Sequence, residues 1–508
     1  MSNKKGKTGP REIALLVLNQ YFKKRKSLKN IINKNFKDRN LSGLDRRFIF
    51  NIVKGTVRYY IKIDFILSLF SDKDLRNIDF IVLNILRMGI YQLMYMDRVP
   101  DYSALDESVK LAKKRANYPS SKFVNAALRK ISSVDDINLF FKKKIKDMDN
   151  EALRISKEYS YPEWLVDYWL KCYGREKTIL ILKSLNENPL YYLRFNRDNI
   201  SPEELAGEFE LKPVNGVFKG FDITGGKSKG SKNLFFLKEI LDDTVGTYSV
   251  QEISESEIYK KGLVTVQDIS SQLAVKYFLR PRRGDKVLDV CAAPGGKTSY
   301  IAQILKDKGE LVSVDISSRR LELLRDSMER LGLDNVKVVE ADAGEPGFLK
   351  SSGGAGDSKA GAGIKGTDIY REYFDSILID APCSAFGTIS KNPDAKYNKS
   401  MDDVIRLSAM SYSMMVNCDR YLKTGGKLIF YTCTLSPAEN QNMIERFLKE
   451  FRGKYVCEKN DFIDKITSIK NSDVYRGISY PEGCLEIMPY YFESEAGFVC
   501  CLRKNKAG

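Results

Sequence analysis

KVLDVCAAPGGKTS, residues 286–299, has the pattern of a strand, a glycine turn and the first turn of a helix. A short apolar run closes at Asp289, the chain turns through Gly295 and Gly296, and a helix is predicted from Lys297. In an α/β sheet, such a turn presents backbone N–H groups that have no partner within the helix, and these can bind a cofactor. A tight turn in an α/β domain that binds no nucleotide has the same pattern, so both alternatives stay open at this point.

The turn fits neither of two well-known phosphate-binding motifs. The P-loop pattern GxxxxGK[ST] would require glycine where this chain has Cys291. The dinucleotide pattern GxGxxG is not found in this stretch either. The segment therefore indicates a nucleoside-like ligand without a polyphosphate.

The size and charge of the chain favour a multidomain protein with a polyanionic partner. A length of 508 residues predicts about three domains. The formal net charge is +17, and a surplus of this size is typical of proteins that bind nucleic acid. A general richness in lysine would give the same net charge, so charge alone leaves the partner open.

The absence of histidine and the spacing of the nine cysteines exclude several kinds of site. Without histidine, the chain cannot form a Ser-His-Asp or Cys-His catalytic centre or a zinc site with histidine ligands. The cysteines form no CxxC pair, so we expect no metal, and their odd, scattered arrangement indicates reduced thiols in the cytoplasm. Apolar runs are too short for a signal peptide or a membrane span, so we expect no membrane partner.

Residues 1–140 are predicted to form an all-α domain. Apolar residues recur there at i, i+3 and i+4, and Pro100 and Pro119 lie at joints between helical segments. Basic residues also recur along these helices, which suits binding to RNA phosphates but also suits an ordinary solvated face. These basic residues are Arg46, Arg47, Lys54, Arg58, Lys113, Lys114, Arg115, Arg129 and Lys130.

Residues 141–247 are predicted to form a linker and a small α+β domain. A strand is expected at 190–195, and proline in the first turn marks a helix start at Ser201. Turns rich in glycine and lysine follow at 215–219 and 225–232.

Residues 248–508 are predicted to form a Rossmann-like α/β domain with a parallel sheet, because strands and helices alternate. Its strands are predicted at 286–290, 310–315, 336–340, 374–380 and 427–433. The low-complexity, glycine-rich stretch at 351–366 is expected to be a flexible surface insertion.

Three acidic residues, Asp315, Asp342 and Asp380, follow or end three successive predicted strands. The carboxyl ends of strands face the ligand crevice in open α/β sheets. Asp315 follows the glycine turn at about the 20-residue spacing of an acid that binds a ribose diol. An acid at one strand end is usually just solvated, but three of them behind a glycine turn favour an adenosine-type cofactor.

Cys383 and Cys433 lie at or just past the ends of the fourth and fifth predicted strands. Adjacent strand ends would bring both thiols into one pocket beside the cofactor. A thiolate is a good nucleophile even when only a small fraction is ionised at neutral pH. The cysteines predicted to be small buried hydrophobic side chains are Cys172, Cys418, Cys457, Cys484, Cys500 and Cys501.

At these residues the chain resembles the RNA 5-methylcytosine methyltransferases, and within them the bacterial 16S ribosomal RNA enzymes of the RsmB/Sun type. Three motifs carry the resemblance: CAAPGGKT at 291–298, DAPCSAFGT at 380–388 and YTCTLSPAEN at 431–440. FIFNIVKG at 48–55 and FVNAALR at 123–129 are similar to the NusB-type RNA-binding domain.

The middle domain is also similar to that of the family, through YPEWL at 161–165 and LRFN at 193–196. The chain departs from the family at Asn392, where the family often has histidine, at Tyr490, where it tends to have histidine, and in the glycine-rich insertion.

The resemblance implies methyl transfer from S-adenosylmethionine to cytosine C5. It assigns to Cys433 the attack on C6, to Asp380 a hydrogen bond to the base that stabilises the adduct, and to Cys383 assistance in product release. The target base must be unpaired or flipped out. The residues implied in cofactor binding are Cys291, Ala292, Ala293, Pro294, Gly295, Gly296, Lys297, Asp315, Asp342 and Asp380.

We therefore expect a cytoplasmic, monomeric enzyme that methylates 16S ribosomal RNA, either free or in an early ribosomal particle. One alternative is the same chemistry on transfer RNA or another RNA. The other is a non-catalytic RNA-binding assembly factor that keeps the fold. That factor should have lost a catalytic cysteine or the glycine turn, and this chain keeps both.

Overall fold

The computed structural model describes residues 8–37, 39–201, 204, 211–213, 234–236, 241, 243–247, 253–349, 369–463 and 483–505. The chain divides into two compact units. The first contains Met1–Asn186 and Lys391–Asn398, and the second contains Glu187–Ser390 and Lys399–Gly508. The turns predicted at 215–219 and 225–232, most of the helix predicted from Ser201, and the insertion at 351–366 lie outside the described residues.

The first unit is helical, which confirms the predicted all-α N-terminal fold. Its helices are α1 Pro10–Lys24, α2 Leu28–Phe36, α3 Gly43–Phe70, α4 Phe80–Tyr95, α5 Asp101–Arg115, α6 Tyr118–Ser132, α7 Ile137–Lys146, α8 Glu151–Tyr159 and α9 Glu163–Asn186. One core of buried apolar side chains joins α1 to α7.

Local sequence explains where these helices begin and bend. The side chain of Ser42 accepts the backbone N–H of Asp45 at the start of α3, and Asp79 caps α4 in the same way. Such caps satisfy N–H groups that have no partner within the helix. Helix α9 is interrupted at Gly174, where φ is 71°, a conformation that glycine adopts without strain.

Residues 391–398, which follow the DAPCSAFGT motif in the sequence, pack into the helical unit, and we call them the inserted segment. Lys396 is fully buried, and its Nζ donates to the carbonyl oxygen of Arg58 at 2.9 Å. The same Nζ lies 3.8 Å from the ring centroid of Tyr161. Burial lowers the pKa of Lys396 well below its usual value. The carbonyl and the aromatic face are the contacts that stabilise its charge.

The second unit begins with a five-stranded sheet. Its strands are β1 Tyr191–Phe195, β2 Leu211–Pro213, β3 Leu234–Phe236, β4 Thr244–Thr247 and β5 Val264–Val266, in the order β2-β3-β4-β1-β5. Only β2 and β3 pair in parallel, and the other pairs are antiparallel. Four of these strands lie within the range predicted for the small α+β domain, 141–247, whereas β5 lies within the range predicted for the C-terminal domain. Residues 141–186 of that range belong to the helical unit instead.

An eight-stranded sheet forms the core of the C-terminal domain. Its strands are β6 Lys286–Val290, β7 Glu310–Asp315, β8 Val336–Glu340, β9 Phe374–Asp380, β10 Leu422–Thr432, β11 Tyr455–Cys457, β12 Cys484–Ile487 and β13 Gly497–Lys504. The order is β11-β13-β10-β9-β6-β7-β8, with β12 also paired to β13. The Rossmann-like domain is confirmed, and the first four predicted strands have the observed bounds.

The sheet is mixed: the five strands predicted from the sequence are parallel, as expected, but three further strands that were not predicted pair antiparallel. Strands β10, β9, β6, β7 and β8 are parallel, whereas β13 pairs antiparallel with β10, β11 and β12. Only residues 488–496 join β12 to β13, and a parallel crossover needs about a dozen residues or more. The short connection therefore requires antiparallel pairing.

Helices alternate with the parallel strands. Among the residues that the structure describes, the α-helices of the second unit include α10 Glu257–Lys260, α11 Ile269–Leu273, α12 Gly296–Leu305, α13 Ser318–Arg330, α14 Met401–Cys418, α15 Gln441–Glu450 and α16 Pro489–Phe492. α12 follows β6, α13 follows β7 and α14 lies between β9 and β10. None of the described helices combines the length and apolar character needed to cross a lipid bilayer.

We expect Lys396→Ala to lower the free energy of unfolding of the helical unit by about 3 kcal/mol, because it opens a cavity and removes the hydrogen bond to Arg58. Both tryptophans of the chain, Trp164 and Trp169, lie in α9. Tryptophan fluorescence during urea denaturation therefore reports this unit. Lys399→Ala, just outside the inserted segment, is the control and should leave the midpoint nearly unchanged. Equal midpoints for Lys396→Ala and the wild type would contradict the role given to the buried ammonium.

Candidate active site

The carboxyl ends of four parallel strands meet at one edge of the eight-stranded sheet, in the order β10, β9, β6 and β7. Tyr431 of β10 is opposite Asp380 of β9, and Val290 of β6 is opposite Val314 of β7. The strands thus end nearly level with one another. Residues that follow these ends share one crevice, which is where open α/β sheets bind ligands.

Cys383 and Cys433 follow the neighbouring strands β9 and β10, and their Sγ atoms are 3.5 Å apart. Both side chains are partly buried. The hydrogen bond with the Cys383 thiol raises the pKa of Cys433 well above its usual value, and burial and the negative charge of Asp380 act in the same direction. The Cys433 thiol is therefore protonated near neutral pH in this state.

A buried hydrogen-bond network holds the two cysteine loops together. Glu439 is only 1% exposed and accepts both the backbone N–H and the hydroxyl of Ser384, each at 2.6 Å. The Ser384 hydroxyl also lies 2.6 Å from Oγ1 of Thr434. Because Ser384 follows Cys383 and Thr434 follows Cys433 in the chain, this network restrains the distance between the two thiols.

Two further residues support the Cys433 loop. The N–H of Gly387 donates to the carbonyl oxygen of Cys433 at 3.0 Å, and a Cβ at this position would lie 2.3 Å from the carbonyl oxygen of Ala496. Asn440 donates from Nδ2 to the carbonyl oxygen of Thr434 at 3.0 Å. Both residues lie in the quoted motifs, but no role was predicted for them. The signal that could have pointed to them is a glycine or asparagine in the loop that follows each cysteine.

Lys297, predicted to bind the cofactor, forms an ion pair with Asp380. Its Nζ lies 2.8 Å from Oδ2 of Asp380 and 4.0 Å from the ring centroid of Tyr431. Lys297 is buried, whereas the Asp380 side chain is 31% exposed. The pair fixes the Asp380 carboxylate at the end of β9 and leaves its exposed side open to the crevice.

Asp289 is a buried acid beneath the crevice to which the sequence analysis gave no role. Its Oδ2 accepts the hydroxyl of Thr298 at 2.6 Å, and its Oδ1 has no hydrogen-bond partner among the described residues. Burial raises the pKa of Asp289 to about 7, against the opposing effect of the Thr298 hydrogen bond. Asp289 therefore changes its charge near neutral pH.

Gly295 and Gly296 begin α12 at the predicted turn. Gly295 is the N-cap residue with φ 102°, and a Cβ there would lie 3.2 Å from Leu324 Cγ and 3.2 Å from Met328 Cε. With glycine as its N-cap, α12 has no capping side chain. Its first N–H groups are therefore suited to an anionic ligand group such as a carboxylate.

The other residues of the turn have structural contacts. Cys291 has φ 61°, its Sγ lies 3.8 Å from Sδ of Met414, and burial raises its pKa. The N–H of Ala292 donates to the carbonyl oxygen of Val314 at 2.9 Å, which ties the turn to β7. Pro294 is exposed.

Asp315, predicted to bind ribose, is only 2% exposed. It accepts the N–H of Ala293 at 3.3 Å and the N–H of Ser317 at 3.0 Å. Nη1 of Arg320 lies 3.3 Å from its Oδ2, and Nη2 of Arg320 donates to the carbonyl oxygen of Ala293. Arg320, for which no role was predicted from the sequence, therefore links the Asp315 carboxylate to the backbone of the glycine turn.

The third predicted acid, Asp342, lies past the end of β8 and accepts the N–H of Gly344 at 2.8 Å. The structure thus brings Asp315, Asp342 and Asp380 to the ends of three parallel strands around one glycine turn. Acids suit the hydroxyl and amino groups of a nucleoside, and the open N-terminus of α12 suits a carboxylate. This set of donors and acceptors fits an adenosine-type cofactor that carries an amino acid.

Comparisons with known protein families agree with this arrangement along the chain. The family model of the 16S rRNA methyltransferase RsmB/F matches residues 276–503. The NusB family model matches residues 8–133, and the ferredoxin-like domain model of RsmF/B-like methyltransferases matches residues 161–215.

A relative and two solved structures extend the comparison to the whole chain. The probable ribosomal RNA small subunit methyltransferase B of Bacillus subtilis (strain 168) is 30% identical over 500 residues, which are 98% of this chain and 99% of the relative. The crystal structure of PH0851 aligns over 99% of this chain and 100% of that chain, with a TM-score of 0.69 and 21% identity. NSun6 from Pyrococcus horikoshii with SFG aligns over 69% of this chain and 100% of that chain, with a TM-score of 0.51 and 21% identity. Both solved structures share the fold of this chain over the aligned residues.

We expect Asp289→Asn to change how stability depends on pH. Asp289 has a folded-state pKa of about 7, above that of an unfolded carboxyl group, so it favours folding below pH 4 and this contribution is lost as pH rises to about 7. The free energy of unfolding of the variant minus that of the wild type should increase by about 3 kcal/mol as the pH rises from 5 to 8. Urea denaturation followed by circular dichroism measures this difference. The exposed Asp307→Asn is the control, and parallel pH profiles for all three proteins would contradict the assignment.

Proposed function

The chain belongs to the RsmB/F family of 16S ribosomal RNA methyltransferases, which depend on S-adenosylmethionine, and from this premise we propose that it methylates cytosine C5 through a covalent adduct with Cys433. The observation that carries the proposal is the pair of thiols of Cys383 and Cys433, 3.5 Å apart at the ends of adjacent strands. The thiol of Cys433 supplies the nucleophile, and the thiol of Cys383 supplies a second reactive group that can assist release of the product.

The chemistry of the base explains why a thiol is needed. Cytosine C5 is a poor nucleophile, and attack of a thiolate at C6 forms a C–S bond that makes C5 enamine-like. Since the hydrogen bond with Cys383 and burial raise the pKa of Cys433, its thiol must lose a proton before the attack. That proton would pass, directly or through water, to N3 of the base, where negative charge develops.

Asp380 is the group placed to stabilise the adduct. As electrons move from C6 towards the ring nitrogens, negative charge develops at N3, and protonation there lowers the energy of the adduct. The ion pair with Lys297 at 2.8 Å fixes the orientation of Asp380, and its exposed side faces the crevice. The ionised carboxylate of Asp380 would therefore accept hydrogen bonds from the N4 amino group and from N3–H once N3 has gained a proton, which stabilises the protonated adduct.

The last steps restore the aromatic ring. A base takes the C5 proton, the electrons of the C5–H bond re-form the C5–C6 double bond, and the C6–S bond breaks so that Cys433 leaves as a thiolate. We assign Cys383 in its thiolate form as this base, because its Sγ lies 3.5 Å from that of Cys433. The Glu439–Ser384–Thr434 network would hold both cysteines in position for the two stages.

The glycine turn and the three acids would hold the cofactor. When bound, S-adenosylmethionine supplies the methyl group as an electrophilic sulfonium. The N-terminus of α12 would bind its carboxylate, Asp315 its ribose and Asp342 its adenine, with Asp380 near the methyl end. Arg320 would have to leave Asp315 for a ribose hydroxyl to reach that carboxylate.

The helical unit presents basic side chains that support an RNA substrate. Of the basic residues identified in the sequence, Arg58 is buried, and the exposed ones are Arg47, Lys113, Lys114, Arg115, Arg129 and Lys130. Exposed cations attract the RNA backbone without reading its sequence. These side chains therefore support binding to ribosomal RNA but leave the choice of RNA to other contacts.

We expect Cys433→Ala to lower methyl transfer by about 10³-fold or more, because C5 stays unreactive without the C6 adduct. Cys383→Ala should instead accumulate a protein–RNA complex that survives denaturing gel electrophoresis, because formation of the adduct is intact and its breakdown is slow. Transfer of tritium from labelled S-adenosylmethionine measures the first effect, and Cys172→Ala at an exposed thiol is the control. Wild-type turnover by Cys433→Ala would refute the covalent mechanism.

We expect the wild-type protein to methylate unmethylated 16S RNA in preference to a transfer RNA pool. Mass spectrometry of the product nucleosides should identify 5-methylcytosine. Label in transfer RNA alone would keep the chemistry and overturn the substrate. Absence of label in both RNAs would favour a role in ribosome assembly or a different substrate. Failure to bind labelled S-adenosylmethionine would then select the assembly role.

A further inference from the structure

Three cysteines far from one another in sequence meet at the edge of the eight-stranded sheet. Cys457 ends β11, Cys484 begins β12 and Cys500 lies in β13, and their Sγ atoms all lie within 4.8 Å of one another. Cys484 and Cys500 are buried, and Cys457 is partly buried. We call these residues the three-thiol cluster.

The register of the strands explains why the three thiols converge. Strands β11 and β12 pair end to end along β13, with Cys457 opposite Leu502 and Cys484 opposite Cys500. Residues 500 and 502 are two apart in one strand, so their side chains lie on the same face of the sheet, and residues directly opposite them share that face. Cys501 lies between them and therefore projects to the other face.

We propose that the three-thiol cluster binds one thiophilic metal ion, Zn²⁺ or Cu⁺, through three thiolates. Zinc–thiolate bonds of about 2.3 Å place ligand sulfur atoms about 3.8 to 4.0 Å apart in tetrahedral or trigonal geometry. The observed spread of up to 4.8 Å accommodates this arrangement. Each ligand would release its proton to solvent as it binds.

The third thiol favours a metal over a disulfide. Cys484 and Cys500 are directly opposite each other with Sγ atoms 2.7 Å apart, so these two alone could be oxidised to a disulfide. Cys457 would have no part in that bond, yet β11 brings its thiol to the same point. Metal binding uses all three thiols and needs only a small rotation that separates Cys484 from Cys500 by about 1 Å.

Such a site would fix the edge of the sheet. The ligands come from three strands, and β11 and β12 contain only three and four residues. Strands this short contribute few hydrogen bonds of their own, so a shared metal would join both to β13. The expected role is stabilisation of the C-terminal part of the sheet, independent of the chemistry at Cys433.

Metal titration of the reduced, metal-free protein tests the proposal. With Co²⁺ as the probe for the zinc site, the wild type should show thiolate-to-metal charge-transfer absorbance that saturates at one equivalent. A competition titration with a chromophoric Cu⁺ chelator distinguishes Cu⁺ from Zn²⁺. Cys457→Ser, Cys484→Ser and Cys500→Ser should each lower affinity by at least about 100-fold.

Matched variants separate the cluster from the other thiols. Cys501→Ser adjoins Cys500 but lies on the opposite face, so it should bind one equivalent like the wild type. A Cys383→Ala/Cys433→Ala double variant should also keep this stoichiometry, because the active-site thiols are not ligands. Circular dichroism confirms that each variant is folded, and Cys457→Ser is the variant least disruptive to the core.

Thermal unfolding supplies an independent readout. Added Zn²⁺ or Cu⁺ should raise the midpoint of the wild type and of Cys501→Ser but not that of Cys457→Ser, because a ligand that binds only the folded state stabilises it. Failure of the reduced wild type to bind either metal would overturn the proposal. Unchanged affinity in folded Cys457→Ser would do the same.

Discussion

The parallel register of β10, β9, β6 and β7 is the constraint on which the active site depends. Each strand pairs in parallel with its neighbour, so the carboxyl ends of all four strands lie at one edge of the sheet. Residues that lie far apart in sequence, such as Cys291, Asp315, Cys383 and Cys433, thereby reach one crevice. The sheet sets their order, and the loops after each strand set their distances.

The loops are held by buried polar groups that have little freedom to move. Glu439 is an acid with almost no exposure, and the two donors of Ser384 satisfy its oxygens. Loss of either partner would leave an unpaired polar group in the interior, which costs about 1 to 3 kcal/mol. That penalty favours one arrangement of the two cysteine loops, so the 3.5 Å thiol contact follows from a network that itself contains no cysteine.

Sequence patterns predicted the central parallel strands β6, β7 and β9 well, because burial on both faces gives continuous apolar runs. Strands β11 and β12 carry no such signal, since they have only three and four residues and depend on β13 for pairing. The acids and cysteines of the crevice were visible because each follows a strand. Ser384 and Arg320 were not identified, because a serine or arginine in a loop gives no sign of its partner until the fold brings the two together.

In the proposed mechanism, the electrostatics of the crevice would link cofactor binding to the reactivity of Cys433. Asp289, Asp315 and Asp380 surround the glycine turn, and negative charge at Asp380 helps to raise the pKa of Cys433. A thiol in such surroundings stays protonated and resists stray alkylation or oxidation. A positive charge brought beside it has the opposite effect, because an opposite charge within about 4 to 6 Å favours the ionised form. In the proposed mechanism, a cationic cofactor bound beside Cys433 would lower the pKa of its thiol, so that the thiolate would form more readily when a methyl donor is in place.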